Sequence, residues 1–242
     1  MPDPAPHPPA PAGGEAPFAT ALELDLRHGR CVGVALPREW DARATAALAE
    51  LPAAARAFAA ELPPVRRLTF AGGRLALGRA AAQLSLAPGD LLPDAAGAPR
   101  VPAGAVGSVS HKATLAVALL DRADGWSRGV DLEICDVPRE RITGRVLTEA
   151  EQRAIADLPP AEHWPAVLLR FSLKEALYKA LHPFVRRYVA FAEAEAAPDA
   201  GGGCAVALRL TGGEGPFEVD AAWLRAGDLV LTTCRVRPGA GA

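Results

Sequence analysis

Proline and glycine punctuation divides this chain into two successive runs of the same order: strands, two helices, strands. Residues 21–26 and 31–36 read as short strands around a His28-Gly29 turn. Asp41 stands where a cap belongs, ahead of a helix running towards Ala60, and Pro63-Pro64 breaks the chain. A second helix covers roughly 65–84, a β-hairpin covers 104–120, and Asp124-Gly125 is a turn. The second run opens with a strand over 129–134. Helices over 139–158 and 163–181 follow, separated by Pro159-Pro160, and strands over 204–210, 217–224 and 229–236 close it. The pattern predicts an α+β fold of two similar lobes, residues 18–125 and 126–242, in a pseudo-twofold arrangement with the active site in the cleft between them. Residues 1–17, rich in proline, are expected to be a disordered leader.

Composition narrows the class. Hydrophobic residues make up 50% of the 242, charged residues 22%, and the formal net charge is −2. That balance suits a soluble globular protein and gives no general attraction for nucleic acid or an anionic membrane. No apolar run approaches a membrane span, and the N-terminus lacks the basic start and apolar centre of a signal peptide. Cys31, Cys135, Cys204 and Cys234 are far apart, with no C-x-x-C pair, as expected of reduced thiols in a cytoplasmic protein.

Four segments carry chemistry. In G-V-D-L-E, residues 129–133, a strand puts Asp131 and Glu133 on one face. Adjacent carboxylates repel unless a cation lies between them, and Mg²⁺ prefers such hard oxygens. Taken alone, a D-x-E pair is more often a solvated strand face. In F-S-L-K-E-A-L-Y-K-A, residues 171–180, Glu175 and Lys179 share a helix face, giving a third carboxylate and a cation one turn away. Taken alone, that is more often a surface pair. In G-S-V-S-H-K, residues 107–112, Ser110, His111 and Lys112 stand at a strand end and suit a phosphate. In R-R-L-T-F-A-G-G-R-L-A-L-G-R, residues 66–79, Arg67 and Arg74 share a face, and Gly72 and Gly73 clear space for something to approach the backbone.

In order and spacing, these segments resemble the 4′-phosphopantetheinyl transferases of the surfactin-synthase and enterobactin-synthase type. That family reads R-x-x-E-F-x-x-G-R, G-S-(I/V)-S-H, G-(I/V)-D-(I/L)-E and (W/F)-S-x-K-E-x-x-x-K-A. The segment R-V-L-T-E-A-E, residues 145–151, looks like the family's connecting helix. The match covers roughly 66–181. It departs at Thr69, where the family has an acid, and carries Phe171 in place of the commoner tryptophan.

The resemblance implies that Asp131, Glu133 and Glu175 hold Mg²⁺, with Mn²⁺ as an alternative. Coenzyme A is the substrate, and its phosphopantetheine passes to a serine of an acidic apo carrier protein. Glu175 or a metal-bound water takes the serine proton, and Lys179 steadies the pyrophosphate or protonates the leaving group. Ser110 and His111 bind the 3′-phosphate, with Lys112 adding charge. Arg66, Arg67, Gly73 and Arg74 line the nucleotide side. The resemblance further implies a cytoplasmic monomer serving secondary metabolism or siderophore synthesis, without nucleic-acid or membrane partners. Two rivals remain on the residues alone: a metal-dependent hydrolase or nucleotidyl transferase using the same carboxylates, and a non-catalytic carrier-binding module.

Overall fold

Gly29, at φ +133°, turns the chain between β1 (Thr20–Leu26) and β2 (Gly29–Ala35), a conformation that side chains other than hydrogen rarely adopt. The computed structural model describes residues 16–112 and 114–240, so nearly all of the expected leader lies outside the described residues. The chain divides into two units between Asp124 and Gly125, each with its own sheet and core. Among the described residues no helix is long and apolar enough to cross a membrane.

In the first unit, Asp41 caps α1 (Ala42–Ala47) by accepting from the Ala44 amide at 2.7 Å. The single helix expected from there to Ala60 is instead broken. A 3-10 turn at Leu48–Glu50 follows α1, and Pro52 holds Leu51 extended before α2 (Ala53–Ala60) begins. Helix α3 (Pro64–Gln83) starts on a proline, whose missing N–H costs nothing at a first turn. It packs Leu68, Ala71, Leu75 and Ala76 onto a sheet ordered β1-β2-β4-β3, in which β3 (Ala105–Lys112) and β4 (Leu115–Arg122) form the expected hairpin. The close approach expected at Gly72-Gly73 is made by this unit's own residues. A Cβ on Gly72 would overlap Leu36 and crowd Ala116, whereas one on Gly73 would meet Val109 at an ordinary 3.8 Å.

In the second unit, β5 (Ser127–Ile134) leads into helices that also break where one was expected. Helix α4 (Glu140–Val146) ends before Thr148, which caps α5 (Glu149–Ala156) in a capping box with Glu151. Helix α6 (Pro160–Val185) is longer than expected at both ends. A strand missed by the pattern, β6 (Ala194–Pro198), is alanine-rich and has little intrinsic strand preference. It exists through pairing with β7 (Gly203–Leu208), which continues to β8 (Phe217–Ala226) and β9 (Leu229–Pro238) in an antiparallel sheet ordered β5-β9-β8-β7-β6. Leu173, Ala176, Leu177, Ala180 and Leu181 of α6 join Ala196, Ala221 and Val236 in the core.

Gly129 sets how closely α6 lies on β5, because a Cβ there would overlap the Ala176 carbonyl oxygen, which is backbone and cannot swing aside. Gly129→Ala should therefore destabilise the protein by about 1–3 kcal/mol or more. Gly73→Ala, which meets no obstacle and removes a helical glycine, should be neutral or stabilising by up to about 1 kcal/mol. Urea unfolding of both variants checks this; equal midpoints would contradict it.

Candidate active site

Strand β5 buries both its faces. Val130 and Leu132 lie in the core, yet Asp131 and Glu133 on the opposite face are only 5% and 2% exposed. Carboxylates so shielded are costly unless donors meet them. Helix α6 supplies two donors to Asp131. Ser172 Oγ donates to Oδ2 at 2.9 Å, and Lys179 Nζ donates to Oδ1 at 2.8 Å and to the Val130 carbonyl at 2.8 Å. Ser172 and Lys179 are two helical turns apart, so one face presents both. Thr232 of β9 donates to the Ser172 carbonyl at 2.9 Å and steadies that helix turn against the sheet. Glu133 meets Arg139 Nη2 at 3.2 Å, and the same guanidinium lies over the Trp164 ring at 5.5 Å.

Glu175 sits on α6 between the stripe that faces β5 and the stripe carrying Leu177 and Tyr178. It is half-buried at a pocket of about 160 Å³, whose opposite wall is Tyr188, Val189 and Phe191 from the segment after α6. Asp131 and Glu133 form a donor set that suits a hard divalent cation. Among the described residues no three His, Cys, Asp or Glu side chains gather as a ready-made metal cage, so Glu175 is not drawn together with the two strand carboxylates.

The lysine between Ser172 and Glu175 has a different task. Lys174 Nζ, 3% exposed as a residue, donates to the Val146 carbonyl at 2.8 Å, to Glu151 Oε2 at 2.6 Å and to the Phe191 carbonyl at 3.0 Å. Glu151 in turn accepts from the Thr148 amide at 2.7 Å and the Ala196 amide at 2.8 Å. One buried ion pair thus joins α4, α5, α6, β6 and the pocket's far wall. Burial lowers the Lys174 pKa, against the pull of Glu151 that raises it. Lys174, Glu151 and Ser172 escaped a reading aimed at metal ligands. For Ser172 the sequence does hold a signal, its seven-residue spacing from Lys179.

The first unit holds the residues expected on the nucleotide side. Strand alternation turns the exposed His111 away from the face of Ser110 and Lys112, of which Ser110 is buried and Lys112 half-buried. Arg66 is exposed. Arg67 and Arg74, expected to line the nucleotide, make bonds within the protein. Arg67 donates to the carbonyls of Ala60 at 2.7 Å and Leu62 at 3.0 Å and stacks over Trp40 at 5.2 Å. Arg74, 4% exposed, donates to the Leu91 carbonyl at 2.6 Å and stacks over Phe70 at 4.7 Å, and burial lowers its pKa to about 10. Gly73 faces Val109.

Comparison with known proteins bears on both units. The sequence matches the family model of the 4′-phosphopantetheinyl transferase superfamily over residues 127–234, and that of the 4′-phosphopantetheinyl transferase N-terminal domain over residues 53–121. It is 33% identical over 194 residues to the 4′-phosphopantetheinyl transferase Svp of Streptomyces mobaraensis, covering 76% of this chain and 78% of that relative. It is 35% identical over 114 residues to the 4′-phosphopantetheinyl transferase PptT of Mycobacterium tuberculosis, covering 46% of this chain and 49% of that one. A solved holo-(acyl-carrier-protein) synthase of Bacillus anthracis, in complex with CoA (3′,5′-ADP), aligns at a TM-score of 0.39 and 19% identity, covering 46% of this chain and 96% of that one.

Glu151→Gln leaves a buried ammonium without its counter-charge and should cost roughly 3–5 kcal/mol of stability. Urea unfolding measures it. A loss below about 1 kcal/mol, the scale of an exposed pair, would contradict the buried-pair account.

Proposed function

Because the chain belongs to the 4′-phosphopantetheinyl transferase superfamily, we propose that it transfers the 4′-phosphopantetheine of coenzyme A to a serine hydroxyl of an apo carrier protein. The observation that carries this reading is the pair of buried carboxylates, Asp131 and Glu133, on a strand against which α6 sets Lys179 and Ser172. The serine oxygen forms a bond to the β-phosphorus of coenzyme A. The bond from that phosphorus to the bridging oxygen breaks, and adenosine 3′,5′-bisphosphate leaves.

Asp131 and Glu133 would hold Mg²⁺ or Mn²⁺, and the ion would offset negative charge on the phosphate under attack. Glu175, half-buried at the pocket, takes the serine proton. Lys179, whose ammonium stands beside Asp131, lends its charge to the pyrophosphate. The apolar pocket beside Glu175 receives the pantetheine arm. Exposed His111 binds the 3′-phosphate, and exposed Arg66 adds charge on the nucleotide side. Arg67 contributes by tying the first turn of α3 to the segment before it, and Arg74 by tying the middle of α3 to Leu91.

The carrier in this reading is acidic and belongs to non-ribosomal peptide, polyketide or siderophore synthesis. Exposed Arg141 and Arg145, one turn apart on α4, support an acidic partner. The four free cysteines support a cytoplasmic setting.

Release of adenosine 3′,5′-bisphosphate from coenzyme A tests the reading. It should require both an apo carrier and a divalent metal, and Asp131→Asn should lower it by about 100-fold or more, the scale of losing one electrostatic catalytic group. Transfer should slow as salt screens the carrier's approach. Release without any carrier would instead mark a hydrolase, and full activity in Asp131→Asn would remove that residue from the site.

A further inference from the structure

The pocket beside Glu175 has one rigid wall and one that must be held. Helix α6 is the rigid wall. The other is Tyr188–Phe191, a stretch outside regular helix or strand until a 3-10 turn at Phe191–Glu193. Its far end is tied by Lys174, which donates to the Phe191 carbonyl. Its near end begins just after Arg186, the left-handed cap of α6 at φ 52°.

Arg187 fastens that near end with every donor it has. Its Nε donates to Glu214 Oε1 at 2.6 Å. Its Nη1 donates to the Tyr188 carbonyl at 2.9 Å and to Glu193 Oε1 at 3.0 Å. Its Nη2 donates to Glu193 Oε2 at 2.7 Å and to Glu214 Oε2 at 3.0 Å. Five N–H bonds are thus shared among two carboxylates and the backbone of the wall, an arrangement that needs the planar fork of arginine. Glu193 also accepts from the Ala190 amide at 2.9 Å and from the Thr211 amide at 2.8 Å. Without the guanidinium, two carboxylates would face each other at the base of the wall. The hydrogen bonds from Arg187 hold both carboxyls below their usual range. Depressed carboxyl pKa values make the clamp intact at neutral pH, and it weakens only as the pH falls through those lowered values.

We propose that Arg187 is a positioning residue for substrate: it holds the Tyr188–Phe191 wall against α6 and so sets the fit of the pantetheine arm, resting on the reading of the pocket given above. The adenosine end of coenzyme A lies outside that pocket in this reading. A clamp on the arm therefore acts on one ligand and spares another.

Binding by calorimetry separates the two. Arg187→Lys keeps the charge and loses the fork; Arg187→Gln loses both. Coenzyme A should bind about tenfold more weakly to either variant, while adenosine 3′,5′-bisphosphate, which has no arm, should bind as it does to wild type. In the transfer assay the change should fall on KM for coenzyme A and leave kcat within about twofold. If Arg187→Gln fails to fold, Arg187→Lys alone decides. Unchanged coenzyme A affinity would overturn the proposal. So would an equal loss for both ligands, which would mark a general scaffold role. Failure of wild type to bind either ligand would overturn the functional reading first, and this inference with it.

Discussion

The absence of a side chain at Gly129 fixes how α6 meets β5, and the chemistry of the second unit follows from that contact. With no Cβ to hold them apart, the Ala176 turn of the helix rests directly on the strand. Ser127, two residues earlier, donates its hydroxyl to the Ala180 carbonyl and ties the next turn. At that spacing the helix face carrying Ser172 and Lys179 falls opposite Asp131, and short side chains reach. A methyl group at residue 129 would push the helix outward along the same contact, and both bonds to Asp131 would lengthen.

Charge compensation then explains the motif residue by residue. Among the described residues of the second unit four carboxylates are buried, and each has its cation: Asp131 with Lys179, Glu133 with Arg139, Glu151 with Lys174, Glu193 with Arg187. These pairs differ in what they hold. Lys174–Glu151 lies wholly inside and joins elements that are far apart in sequence. Lys179–Asp131 is partly open, with the lysine side chain 27% exposed, so its ammonium can serve a phosphate as well as the strand. A buried pair of the first kind is scaffold. A half-open pair one helical turn from a further carboxylate, Glu175, suits chemistry, and the nine residues from Phe171 to Lys179 supply both kinds from different faces of one helix.

Much of the fold was legible because punctuation is local. Pro63-Pro64, Pro159-Pro160 and Asp124-Gly125 each act on their own neighbours, and the element order follows from them. Capping chemistry is also local, yet its meaning depends on spacing: Thr148 with Glu151 breaks the helix expected to run from Arg139 to Leu158, ahead of Pro159-Pro160. Strand β6 was hidden because A-E-A-A-P becomes a strand only through pairing with β7. Within the site, D-x-E and K-E-x-x-x-K were readable as patterns. Which lysine met which acid was not, since that depends on the rotation of α6 over the sheet. The surroundings of the α3 arginines were hidden for a related reason. Their helical spacing was plain, and Phe70 stands one turn before Arg74 on the same helix, but Trp40 and the Leu91 carbonyl, which engage Arg67 and Arg74, come from segments brought near only by folding.

The claim that these carboxylates and lysines serve group transfer is tested most directly by the intact mass of the acceptor. Apo carrier proteins of several classes, each incubated with the 242-residue chain, Mg²⁺ and coenzyme A, should yield at least one carrier heavier by a single phosphopantetheine, with the added mass on its serine. Carriers that all keep their apo mass, while coenzyme A is cleaved or left untouched, would contradict the account.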